Sequence, residues 1–218
     1  MTGSTPDPGG DARQDVSRET PPSHAAGVFA SRLPLAEQYA HLLATDGVVK
    51  GLIGPREVPR IWDRHIMNSA VVVPRVPQNA TVADIGTGAG LPGLVWAIAR
   101  PDLTVTLVEP LLRRTRFLDD VVAELGLDNV RVVRARAEEV HETYDVVTAR
   151  AVAALDKLGR WCLPLVRKGG VLLALKGRTA QDEVTAATAT LHRLGATTIV
   201  VATYANGEVP TTVVEVST

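Results

Sequence analysis

The run Val82–Gly93, V-A-D-I-G-T-G-A-G-L-P-G, constrains the fold of this chain more than any other stretch. A short apolar run ends in glycines spaced one residue apart, and an apolar helical run follows. Glycines at such a turn let the backbone bend tightly and approach a ligand without clashing Cβ atoms. The segment therefore reads as strand, turn and helix. It admits two registers. From Gly88 it gives G-x-G-x-x-G (Gly88, Gly90, Gly93), a dinucleotide-binding turn. From Asp84 it gives an acidic residue and then G-x-G-x-G (Gly86, Gly88, Gly90), an S-adenosylmethionine (AdoMet) turn.

Downstream the pattern alternates. "TVTLVE", "VRVVRA", "YDVVTAR" and "GGVLLALKG" read as strands. "LVWAIARP", "RRTRFLDDVVAELGL", "LDKLGRWCLPLV" and "AQDEVTAATATLHRLG" read as helices. Strands rich in β-branched residues alternating with amphipathic helices predict a doubly wound, mostly parallel α/β sheet. The closing strands "TTIVVAT" and "TTVVEVS" are joined only by "YANGEVP". A parallel crossover needs a dozen or more residues, so the final strand should run antiparallel to its neighbour. That combination is the pattern of class I AdoMet-dependent methyltransferases, a Rossmann-like fold.

Three residues bear on the ligand. Asp84 places a carboxylate two residues before the first glycine, which suits the α-ammonium and sulfonium of AdoMet and opposes a pyrophosphate. In the dinucleotide register the third glycine, Gly93, falls after Pro92, already inside the helix. Glu109, 23 residues after Gly86, ends the next strand, where a carboxylate accepts ribose hydroxyls. It would serve either ligand. Asp84, Gly86, Gly88, Gly90 and Glu109 are thus the candidate AdoMet residues.

The rest of the chain sets limits. The 218 residues suit one α/β domain with additions. Residues 1–25 combine proline, glycine and small polar residues and are expected to be a disordered tail. Residues 26–75 show helical spacing (Val28, Leu33, Leu35, Tyr39, Leu42, Leu43, then Val58, Ile61, Trp62, Ile66, Met67) and are expected to form a helical cap. Residues 76–218 form the Rossmann-like part. One cysteine, Cys162, allows no internal disulfide and sits in an apolar helical run. No metal-ligand spacing is present. No apolar run is long enough to span a bilayer and no signal-peptide core is seen, so a soluble cytoplasmic protein is expected. The net charge is -1, so any RNA binding must rest on local arginine patches.

Several segments together closely resemble one family. "ADIGTGAGLPG", "RFL" at 116–118, "RAEE" at 136–139, "ARA" at 149–151 and "ALKG" at 174–177 occur in order, with "RHIMNS" (Arg64–Ser69) upstream. Over about residues 33–216 the chain resembles the RsmG family, also called glucose-inhibited division protein B. The resemblance implies a Rossmann-like methyltransferase with a helical N-terminal cap. It implies methyl transfer from AdoMet to N7 of one guanine in the 530 loop of 16S ribosomal RNA, near the decoding centre. It also implies that Gly86, Leu91, Ala137, Glu138 and Arg150 contact AdoMet, with Glu109 at the acidic ribose position. The chain departs from the family in the cap: Gly51 to Ile53 stand where Asn-Leu-Thr is usual, and Asn68 replaces an aspartate.

Guanine N7 carries a free lone pair and needs no deprotonation, so alignment is most of what the reaction requires. After the fourth strand the chain has "TARA", not the Asp/Asn-Pro-Pro-aromatic signature of exocyclic amino methylation. No catalytic residue is assigned by sequence; Arg150, Lys176 and His65 are candidates. Arg56, Arg60, Arg64 and His65 are expected on one face of a cap helix. With Arg113, Arg114, Arg116, Lys176 and Arg178 they are candidate RNA contacts. The expected partner is 16S rRNA, within the 30S subunit or a precursor, acted on by a monomer away from any membrane. A non-catalytic AdoMet-binding assembly factor and an NAD-dependent oxidoreductase are the competing readings.

Overall fold

The computed structural model describes residues 20–205 and 210–218. Most of the tail expectation, residues 1–19, lies outside the described residues. Its last residue is corrected: Ala25 is fully buried and opens the first helix.

Helix α1 (Ala25–Phe29), α2 (Leu33–Ala44) and α3 (Asp46–Val49) lead into a 3-10 segment, Pro55–Arg60, and then a π-helical segment, Ile61–Met67, that runs into α4 (Asn68–Ala70). Strands and helices then alternate: β1 (Thr81–Ile85), α5 (Gly93–Ala99), β2 (Thr104–Val108), α6 (Leu112–Leu125), β3 (Val130–Val133), β4 (Tyr144–Arg150), α7 (Leu155–Cys162), β5 (Val166–Lys176), α8 (Ala180–Arg193), β6 (Thr198–Tyr204) and β7 (Thr211–Ser217). The stops follow local chemistry. Pro101 follows the end of α5, and Gly126 caps α6 in the left-handed conformation at φ 59°.

The seven strands form one sheet in the order β3-β2-β1-β4-β5-β7-β6. The first five in sequence pair in parallel. β7 is antiparallel to both β5 and β6. The short link forces β7 back beside β6, as expected, and β7 then inserts between β6 and the parallel sheet. Chain order reverses at β1: β2 and β3 lie on one side, β4 and β5 on the other. The glycine loop leaves β1 at this switch point, where ligands of open α/β sheets bind.

Two hydrophobic clusters cover the two faces. One gathers the segments before β1 with α5, α6 and inward residues of β1 and β2; the other lies under α7 and α8. The first includes Phe29 and Trp62, whose rings meet edge to face at 6.4 Å. Burying side chains of this size contributes about 1.5–3 kcal/mol each, and it fixes residues 25–75 against the α5 face of the sheet.

One expectation for that region fails. Arg56, Arg60, Arg64 and His65 do not share an α-helical face, because Pro55–Arg60 winds at about three residues per turn and Ile61–Met67 is π-helical. Pro59 has no N–H to continue an α-helical ladder. Glu57 instead gathers Arg64 (3.1 Å) and His65 (3.2 Å).

Candidate active site

Gly86, Gly88 and Gly90 hold φ of 66°, 63° and 102°, conformations that strain any residue with a Cβ. Gly90 is also crowded: a Cβ there would lie 2.3 Å from Leu94 Cδ1 and 3.0 Å from the Tyr39 hydroxyl. The Gly86 and Thr87 amides donate to the Val108 carbonyl at the end of β2 (2.8 and 3.2 Å), and those of Gly90 and Leu91 donate to Thr87 (2.9 and 3.1 Å). Gly93 has a different reason to be glycine. A Cβ there would meet Leu107 Cδ2 at 2.4 Å and Asp84 Oδ2 at 2.8 Å. Its presence is explained by close helix–strand packing, whatever ligand the loop takes.

Asp84 is fully buried. Its Oδ2 accepts from the Thr87 hydroxyl (2.6 Å) and the Gly93 amide (2.8 Å). Its Oδ1 has no hydrogen-bond partner. Burial pushes its pKa up to about 6 against these hydrogen bonds. Asp84 therefore braces the loop with one oxygen and leaves the other without a partner. Glu109 is also buried. It accepts from the Gly88 amide (3.1 Å), the Leu111 amide (3.0 Å) and Arg114 (3.3 Å). Both carboxylates face the glycine loop from neighbouring strands.

Ala137 is buried and Glu138 exposed at the turn after β3. Glu139 accepts from the Arg136 amide at 2.8 Å, closing a capping box. Glu139 is thus engaged in closing this turn, and Glu138 is exposed.

Arg150, at the end of β4, is turned toward the cap. Its guanidinium donates to the Arg64 and His65 carbonyls (3.0 and 3.3 Å), the Ser69 hydroxyl (3.2 Å) and His65 Nδ1 (2.8 Å). His65 Nδ1 thus accepts, and Nε2 carries the proton toward Glu57. Burial, reinforced by Arg150, lowers the His65 pKa to about 4. His65 is a neutral connector between Glu57 and Arg150. Two buried bonds secure the same junction: Tyr39 donates to the Ala89 carbonyl (2.9 Å) and Trp96 Nε1 to the Ser69 carbonyl (2.8 Å).

Lys176 departs from expectation. Its ammonium bonds the Ala153 carbonyl (2.6 Å) and Glu183 (2.7 Å), with its side chain 9% exposed. Glu183 also accepts from the Leu155 amide (2.9 Å). Lys176 thereby holds the loop after β4. Arg114 is likewise paired with Glu109, whereas Arg60, Arg113, Arg116 and Arg178 are exposed. Cys162 is buried, and burial pushes its thiol up, out of reach of ionisation. Among the described residues no group of three or more His, Cys, Asp or Glu forms a metal site.

Sequence reading missed Tyr39, Ser69, Thr87 and Glu183. Tyr39 was legible only as a core position. Ser69 stood inside the Arg64–Ser69 segment, a signal of importance without a role.

With this geometry in place, the model of the rRNA small subunit methyltransferase G family matches residues 32–209. The chain belongs to that family. Proteins called ribosomal RNA small subunit methyltransferase G are similar along most of it. The one from Nocardioides sp. is 62% identical over 189 residues, 84% of this chain and 76% of its own. The one from Salinispora tropica is 56% identical over 216 residues, 93% of this chain and 89% of its own. Solved structures show the same fold at low identity. The AdoMet-dependent methyltransferase SibL has a TM-score of 0.59 at 18% identity, covering 89% of this chain and 70% of its own. M. jannaschii TYW2 in complex with AdoMet has 0.57 at 16%, covering 71% and 75%. The expected fold, cofactor and family therefore agree with these findings, and the nicotinamide reading of the loop falls away.

Proposed function

We propose that this methyltransferase G family member transfers the methyl group of AdoMet to N7 of a guanine in the 530 loop of 16S rRNA. The observation that supports the cofactor half is the buried Asp84 with one oxygen unpartnered, beneath three glycines in left-handed conformations. Asp84 Oδ1 would receive the ammonium of AdoMet. Gly86, Gly88, Gly90 and Leu91 would line its methionine end, Glu109 its ribose, and Ala137 with Glu138 its adenine. AdoMet brings the electrophilic methyl carbon. The chain contributes binding, alignment and exclusion of water.

A guanine N7 acceptor fits what the site contains. Arg150, Lys176 and His65 are all held by protein partners, and the thiol is inert. No described group near the loop stands ready as a general base. N7 requires none, because its lone pair attacks directly. Arg150 holds the cap to the end of β4, so its proposed role is to place the acceptor side rather than to touch the cofactor. The exposed Arg60, Arg113, Arg116 and Arg178 would supply phosphate contacts around an extruded base. The substrate would be the 30S subunit or its precursor and the enzyme a cytoplasmic monomer. No helix among the described residues is long and apolar enough to cross a membrane.

The test is methyl transfer from labelled AdoMet to 30S particles and 16S rRNA that lack the modification, with mapping of the labelled nucleotide. Label on N7 of one guanine in the 530 loop is expected. Label elsewhere would overturn the acceptor. AdoMet binding with no label anywhere would favour a non-catalytic assembly factor.

A further inference from the structure

The glycine loop is not held by its own strand and helix alone. The carbonyl of Ala89 is bonded by a residue fifty positions earlier, the Tyr39 hydroxyl on α2 (2.9 Å). Tyr39 is fully buried, and burial, then the Asp84 charge, raises its pKa well above the ordinary tyrosine value. It stays protonated at all working pH values and can only donate at this position or accept from a neighbour. The geometry sets it as a donor. Its oxygen also lies 3.0 Å from where a Cβ on Gly90 would sit. The hydroxyl therefore presses against the one stretch of loop whose backbone is least compatible with side chains.

The bonds of the loop divide by location. At its start, Gly86 and Thr87 are tied to Val108. At its end, Gly93 is tied to Asp84. Between them the Gly88 amide is tied to Glu109 and the amides of Gly90 and Leu91 to Thr87, and the Ala89 carbonyl is carried by Tyr39, a bond that reaches the loop from α2. Glycines lose the most conformational entropy when ordered, so a loop rich in left-handed glycines keeps some freedom at the peptides between these ties. A well-directed bond from outside the loop reduces that freedom before a ligand arrives, which is how preorganisation raises affinity.

We propose that Tyr39 is a positioning residue for the cofactor. Its hydroxyl fixes the Ala89–Gly90 peptide so that the loop is already shaped for the methionine end of AdoMet. The inference rests on the reading of Val82–Gly93 as the AdoMet loop. It makes the cap part of the cofactor site as well as of the RNA side. Residues before β1 set affinity for AdoMet without touching it.

The test compares Tyr39→Phe with Trp96→Phe. Each removes one buried hydrogen bond between the cap and the rest of the protein, at 2.9 and 2.8 Å; only Tyr39 reaches the glycine loop. A buried carbonyl deprived of its donor is left unsatisfied, and that cost is shared between folding and loop placement. For Tyr39→Phe, calorimetry should show AdoMet binding roughly 5- to 20-fold weaker. The KM for AdoMet should rise by the same factor, while kcat and the KM for 30S particles stay within about twofold. Trp96→Phe should lower the melting temperature and leave AdoMet affinity within about twofold. Partial unfolding is separable, because it reduces the calorimetric stoichiometry and not the affinity of the folded fraction. Unchanged AdoMet affinity in Tyr39→Phe would overturn the inference. So would an equal loss in Trp96→Phe, which would assign the effect to cap docking in general. If the wild-type protein failed to bind AdoMet at all, the reading of the loop itself would fall instead.

Discussion

The substitution Gly93→Ala separates the two explanations of the last glycine in the Val82–Gly93 run. Gly93 does not sit in the left-handed region, and alanine is intrinsically preferred over glycine in a helix by about 1 kcal/mol. If only backbone conformation mattered, the change would stabilise the protein. The packing says otherwise. The new methyl would lie 2.4 Å from Leu107 Cδ2 and 3.0 Å from Asp84 Cβ, against an ordinary carbon–carbon separation of about 3.5–4.0 Å. Asp84 and Leu107 are register partners in β1 and β2 and both are fully buried, so neither has room to yield. The start of α5 must back away by roughly 1 Å to restore ordinary contact. That shift breaks the 2.8 Å bond from the Gly93 amide to Asp84. Overpacking costs about 1–3 kcal/mol, and loss of a bond to a carboxylate about 1.5–3 kcal/mol. Less the helix gain, the net destabilisation is about 1.5–5 kcal/mol, or a melting temperature lower by roughly 3–20 °C at this chain length. AdoMet affinity should fall at least tenfold, by about 1.4 kcal/mol or more, because the end of the glycine loop moves with the helix, away from Asp84. Gly88→Ala is the contrast: its methyl has nothing nearer than 3.9 Å, so only the left-handed backbone opposes it, by about 1–2 kcal/mol. Thermal melts and calorimetry with AdoMet measure both. A Gly93→Ala protein that melts within about 2 °C of wild type and binds AdoMet equally well would refute the packing argument.

Three further outcomes follow from the same geometry. Burial raises the Asp84 pKa to about 6 from 3.8, so the folded protein holds this proton more tightly than the unfolded chain. Its contribution to stability is full below the unfolded value and is lost as pH rises toward 6. A cationic ligand prefers the carboxylate, so AdoMet affinity should strengthen between pH 5 and 7 with proton release, and a flat profile would exclude Asp84 as the counter-charge. Lys176→Met should destabilise by about 2–4 kcal/mol because it strands Glu183 beside the Leu155 amide; Lys176→Met/Glu183→Leu should recover part of the loss, and a single variant with wild-type melting would show the pair to be idle. Gln in place of Arg60, Arg113 or Arg178 should weaken 30S binding and lower the salt slope by about one for each phosphate no longer neutralised without changing AdoMet affinity; an unchanged slope in all three would move the RNA surface elsewhere.

The sequence by itself determined the α/β class, the switch-point loop and the antiparallel ending. Each is a local matter: β-branched runs, glycines at a turn, and a link too short for a parallel crossover. It also carried the family, through the tail Leu91-Pro92-Gly93 and segments spaced along the chain. Periodicity reports which side of an element is apolar, so Tyr39, Trp62 and Trp96 were legible as core positions. It does not report which polar atoms meet across fifty or eighty-five residues. Only the tertiary structure joined Arg150 to His65 and Ser69, Tyr39 to Ala89, and Lys176 to Glu183. In doing so it tied Lys176 and His65 to protein partners and Arg150 to the cap. The arginines at 56, 60 and 64 were misread for a physical reason of the same kind. Their four-residue spacing assumes 3.6 residues per turn, and the backbone there winds first tighter and then wider because of Pro59 and of packing around Ile61, Trp62 and Ile66. A sequence names the groups that chemistry needs; burial and distance decide which of them are already spoken for.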